Sequence, residues 1–124
     1  MNNNIFTIQQ FLESPLFHTY NPAIQDLLIS LIEKLKQKNL DFVIVKRNQP
    51  VIVFKIAAMY FDTPSSQCNI VTIRFPGNNK LQIEPYEDND RTSYPYTSSA
   101  TLSDDIINRI EAIYRRKLQK FYSK

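Results

Sequence analysis

Residues 42–58 read FVIVKRNQPVIVFKIAA, two apolar runs either side of a polar break. Two runs rich in β-branched residues, 42–47 and 51–58, flank Asn48-Gln49-Pro50. Branching at Cβ favours the extended backbone and a polar break with proline ends a strand, so the stretch reads as a β-hairpin. Setting Lys46 opposite Val51 puts Val43, Val45, Ile52 and Phe54 on one face. The other face then holds Phe42, Ile44, Val51 and Val53, with Lys46 and Lys55 among them. Both faces are largely apolar, unlike those of a hairpin wetted on one side. Two outcomes fit: helices cover both faces, or Phe42, Ile44, Val51 and Val53 meet another chain.

Downstream, 70–75 and 80–84 alternate cleanly, with Val71, Ile73, Phe75, Leu81 and Ile83 inward and Thr72, Arg74, Gln82 and Glu84 outward. Pro76-Gly77 suits the centre of a type II turn, whose second position needs positive φ. Parity across this hairpin calls for an odd loop of three or five residues. Residues 59–69 and 85–101 read mainly as loops, with a short fifth strand around Tyr94–Ser98 that Pro95 confines to an edge.

Upstream, Thr7-Ile8-Gln9-Gln10 has the form of a capping box, opening a helix that Ser14-Pro15 interrupts after about Glu13. Asn21 then caps a longer helix with Pro22 at its first position. Ile24, Leu27, Leu28, Leu31, Ile32 and Leu35 recur at helical spacing as far as Lys38, and Asn39 closes the end. Near the other terminus, Ser103 caps a helix that opens with Asp104 and Asp105 and buries Ile106, Ile110, Ile113, Tyr114, Leu118 and Phe121. The expectation is one α+β domain over 1–124: N-terminal helices, an antiparallel meander of four to five strands, and a C-terminal amphipathic helix packed on the sheet.

Composition narrows the function classes. The chain has 124 residues, a net charge of +3, one Cys, one His and one Gly. At average usage roughly nine glycines would be present. With Gly77 alone there is no phosphate loop, dinucleotide fingerprint or nucleophile elbow, since each needs several glycines for close backbone approach. One Cys and one His do not make a structural zinc site, and no cofactor is called for. An unpaired Cys68, no signal-peptide pattern and no long apolar run suggest a cytoplasmic protein with no membrane partner. Abundant Asn, Ile and Lys fit a low-GC bacterial source.

Four groupings could carry chemistry. Arg115, Arg116 and Lys120 make the end of the last helix basic, which serves phosphate contact or compensation of the helix's own dipole. Lys46, Lys55 and Arg74 share the outward sheet face on the reading above, where cations beside apolar groups can hold a nucleic-acid strand. Asp62, Glu84, Glu87, Asp88 and Asp90 lack the spacing of a calcium loop. His18 and Cys68 are the remaining candidates for general base and nucleophile, fifty residues apart. The expected function is a non-catalytic interaction protein, homodimeric through the 42–58 hairpin or binding another protein. The alternative is nucleic-acid binding through Lys46, Lys55, Arg74, Arg115, Arg116 and Lys120.

Overall fold

The computed structural model describes residues 4–48, 50–60, 65–77, 80–87 and 91–123. In chain order the elements are β1 (Ile5–Phe6), α1 (Ile8–Glu13), α2 (Pro15–Thr19), α3 (Pro22–Gln37), β2 (Phe42–Lys46) and β3 (Val51–Ile56). Then follow α4 (Ala57–Tyr60), β4 (Asn69–Gly77), β5 (Lys80–Pro85), β6 (Tyr94–Tyr96) and α5 (Asp104–Tyr122). The fold is α+β: after the short β1, helices precede the other strands of an antiparallel sheet, and a closing helix packs on it.

Local signals set the helices. Thr7 Oγ1 accepts from the Gln10 amide at 3.1 Å while Gln10 Oε1 accepts from the Thr7 amide at 3.0 Å, the reciprocal capping box. Ser14-Pro15 does more than interrupt α1. Ser14 closes α1 and its hydroxyl caps α2, accepting from the Phe17 amide at 3.2 Å, with Pro15 at the first position of α2. Asn21 accepts from the Ile24 amide at 2.9 Å to start α3. Asn39 stands at φ 64 just beyond the helix, the left-handed backbone that asparagine tolerates. Ser103 caps α5 through the Ile106 amide at 3.3 Å.

Among the described residues the sheet has six strands in the order β1-β2-β3-β4-β5-β6, every pair antiparallel. The extra strand is β1, whose Ile5 and Phe6 pair with Val45 and Ile44. The expected hairpin register is corrected by one residue: Lys46 faces Ile52, Val45 faces Val53, and Phe42 faces Ile56. A one-residue slip exchanges the faces of one strand relative to the other. Phe42 and Ile44 therefore join Ile52, Phe54 and Ile56 in the main core, each at most 1% exposed. Val51 and Val53 lie on the opposite face. The proposed interface set of Phe42, Ile44, Val51 and Val53 is thus divided between two faces.

The strand expected to run to Ala58 stops at Ile56, and Ala57–Tyr60 turn into α4. Two irregularities shape β4. Between Phe54 and Lys55 the register with β4 shifts, because Val71 faces Phe54 while Asn69 faces Lys55, leaving Ile70 as the added residue. Ile70 and Val71 are both fully buried in the core. A second shift between Arg74 and Gly77 leaves Gly77 facing Lys80. So the parity problem is resolved by a bulge, and Pro76-Gly77 lie at the end of the strand instead of at a turn centre. Residues 78 and 79 fall outside the described residues. Gly77 takes φ 103, open to glycine and costly for other residues.

The core is formed by α3 and α5 against one sheet face. Leu27, Leu28, Leu31 and Leu35 from α3, and Ile106, Ile110 and Ile113 from α5, are at most 2% exposed and cluster with Ile73, Leu81 and Ile83. No helix among the described residues is long and apolar enough to cross a membrane.

Candidate functional site

The face turned away from α3 and α5, here the outer face, is organised by the register into cross-sheet rows. One row runs Ile5, Val45, Val53, Thr72, Glu84 across five strands. The next runs Val51, Arg74, Gln82, Pro95, and Arg47 extends it because its amide donates to the Val51 carbonyl at 3.0 Å. A third runs Val43, Lys55, Asn69. The outer face is therefore aliphatic on the β1–β2 side and polar on the β4–β5 side.

Where these halves meet lies a cleft of about 430 Å³. Val51 and Val53 line its apolar part, Arg47, Asn48 and Arg74 its cationic and amide part, and Asn69, Thr72 and Tyr86 also face it. Beside Asn69, Lys55 is 3% exposed and its Nζ donates to Asn69 Oδ1 at 2.6 Å. Burial pushes the Lys55 pKa below the usual lysine value; the neighbouring Cys68 acts in the opposite sense, and Arg47 pushes it down further.

Glu84 is the acid of this region. Its Oε1 accepts from Ser93 Oγ at 3.0 Å and lies 3.5 Å from Arg74 Nε. Arg74 is thus held through Nε, while its side chain is 44% exposed. Arg47 has no carboxylate partner among the described residues. Around Tyr86, Arg91 stacks on the ring at 3.8 Å and the Lys117 ammonium lies 4.7 Å from its centre, each a cation–π contact. Lys117 also donates to the Asn69 carbonyl at 2.8 Å, tying α5 to the start of β4.

The residues expected to form a basic surface are distributed differently. Lys55 and Arg74 share the outer face. Lys46 does not, since it faces Ile52 in the corrected register and donates to the Arg47 carbonyl at 3.0 Å. Arg115 donates to the Lys38 carbonyl at 2.6 Å and pairs with Glu111 at 3.4 Å, so it fastens α5 to the end of α3. Arg116 and Lys120 are exposed on α5. Sequence reasoning misses Arg47, Asn69 and Tyr86. Arg47 is legible in principle, because Val43, Val45 and Arg47 alternate along one side of the strand.

His18 is exposed on α2 with its ring edge-on to Phe17, whereas Cys68 is fully buried. They do not share an accessible cleft. Of the acidic loop, Asp62, Asp88 and Asp90 lie outside the described residues, and Glu87 sits 3.9 Å from Arg109. No group of three His, Cys, Asp or Glu side chains that could hold a metal occurs among the described residues. Compared with protein-family models, curated proteins and solved structures, the chain matches none.

Proposed function

We propose that this protein is a non-catalytic binding module that takes a single-stranded nucleic acid on the outer face of its sheet. The observation that carries this reading is the row Arg47–Val51–Arg74, two guanidinium side chains flanking an aliphatic floor in one cleft. Strand spacing puts the two arginine backbones about 10 Å apart, a span that long side chains close around a phosphate. Arginine offers a planar fork matched to phosphate oxygens, and the valines accept the apolar surface of a sugar or base. The reading as a binder is supported further by the burial of Cys68, which withdraws the thiol from substrate. Fluorescence anisotropy with labelled single-stranded DNA and RNA tests it. Arg47→Ala with Arg74→Ala should weaken binding by about tenfold or more and flatten its salt dependence. Salt-insensitive binding, or none at low salt, overturns it.

A second reading rests on the other half of the same face. Ile5, Val43, Val45 and Val51 are only half-buried. This aliphatic strip supports self-association, the role first expected of Phe42, Ile44, Val51 and Val53. Light scattering on the eluting protein tests it, with a concentration-independent monomer as the refuting result.

A further inference from the structure

We infer that the outer-face cleft recognises a nucleoside phosphate monoester, such as the phosphorylated end of a strand or a free mononucleotide. This rests on the nucleic-acid reading for the nucleoside part and on the charges of the cleft for the phosphate part. Two guanidinium groups, Arg47 and Arg74, line the cleft, and no carboxylate is among its described lining residues. The Lys55 ammonium stands just behind its Asn69 wall. Set against the Glu84 carboxylate that pairs with Arg74, the three cations leave a net charge of about +2, which matches a monoester at about −1.5 to −2 better than a diester with its single charge.

Arg74 is also oriented for this task. Glu84 engages Nε, leaving the two terminal Nη groups as the fork that binds two oxygens of one phosphate. Glu84 is itself 8% exposed and anchored by Ser93, so it acts as a positioning residue for Arg74. On the other side of Val51, Arg47 has no acidic partner among the described residues and supplies the second grip. The volume, about 430 Å³, lies in the range of small-ligand clefts, so it suits one nucleotide unit and not a folded nucleic acid.

The test compares the full-length chain's binding to matched oligonucleotides with a 5′-phosphate, a 3′-phosphate or only hydroxyl ends, and to adenosine 5′-monophosphate and adenosine. A phosphorylated end should improve affinity by about tenfold or more, the worth of one charge-assisted contact pair. Preference for the strands over the mononucleotide assigns the strand end as ligand, and the reverse assigns the free nucleotide. Arg47→Ala should abolish the preference. Glu84→Gln, which keeps the shape and the Ser93 contact but removes the charge that orients Arg74, should reduce the preference for the phosphorylated end. Equal affinity for phosphorylated and hydroxyl-ended strands overturns the inference while leaving nucleic-acid binding intact. Binding of the mononucleotide with no binding of any strand overturns the strand reading and retains the phosphate site. Equal responses to adenosine and its monophosphate remove the site altogether.

Discussion

Lys55 Nζ donates to Asn69 Oδ1 over 2.6 Å where the β3–β4 register slips, and both residues are at most 4% exposed. Burial lowers the Lys55 pKa below 10.5, opposed by Cys68 and reinforced by Arg47. Between the lowered value and 10.5 the unfolded chain holds a proton that the native chain has released, so this residue makes stability rise with pH across that window. Urea midpoints should therefore climb in the wild type as pH rises toward 10.5, and the climb should be absent in Lys55→Met. Parallel profiles for the two proteins would contradict the linkage.

Tyr20 acts with the opposite sign. Burial raises its pKa from 10.0 to about 12, and its ring stacks on Phe75 at 4.6 Å. The native chain keeps this proton after the unfolded chain has lost it. The resulting stability is fully present below 10.0 and disappears as pH rises through about 12. Tyr20→Phe should lose less stability than the wild type over that interval, and a tyrosinate absorbance titration should lack a component near 12.

The corrected hairpin register separates neighbours that otherwise look alike. Ile44 is fully buried against the helices, while Val45 is half-buried on the outer face. Ile44→Ala should cost about 2–5 kcal/mol, through lost transfer energy and the cavity left behind. Val45→Thr should stay within about 1 kcal/mol of wild type. Denaturant titrations that reversed this order would return the hairpin to the other register.

Gly77 at φ 103 has nothing within 4 Å of where a Cβ would stand. Substitution there meets a backbone cost and no clash. Gly77→Ala should lower stability by about 1–2 kcal/mol, with Gly77→Asn less damaging because asparagine tolerates positive φ. Equal thermal midpoints for the wild type and the Gly77→Ala variant would show that the strand end relaxes.

Arg115 is assigned to structure by its bond to the Lys38 carbonyl. Arg115→Ala should cost about 1 kcal/mol or less, given its half-exposed side chain, and leave oligonucleotide affinity unchanged. Arg47→Ala should do the reverse. A pair of anisotropy and unfolding curves on each variant separates the two roles.

The helices are readable because their signals are local: Asn21-Pro22 and Ser103-Asp104-Asp105 each name a helix start within a few residues. The inward and outward sets of β4 and β5 are readable too, since apolar and polar residues alternate there. The β2–β3 register is not. With valine or isoleucine on both faces, a one-residue slip changes no visible pattern, so hydrophobicity cannot choose between them. The expected register puts Lys46 on the outer face and Arg47 on the other, whereas the observed pairing does the reverse. β1 escapes notice because two residues have no periodicity, and Tyr86 because its amide donates to the carbonyl of Ile70, a bulged residue that no pattern marks.

The strictly sequential strand order gives the sheet a distinctive assembly path. From β2 to β6 every strand pairs with the one before it, so these strands can zip together hairpin by hairpin with little loop-closure entropy. β1 is the exception, because three helices separate it from β2. Ile5 and Phe6 pair with β2, the Asn4 carbonyl accepts from the Lys46 amide at 2.7 Å, and Phe6 packs edge-on against Phe11. Closing the N-terminal strand onto β2 therefore costs more chain entropy than any of the sequential hairpins. Its opening would expose the edge of β2 while the rest of the sheet stands, so the Lys46 amide, which donates to the Asn4 carbonyl, should lose its exchange protection with it.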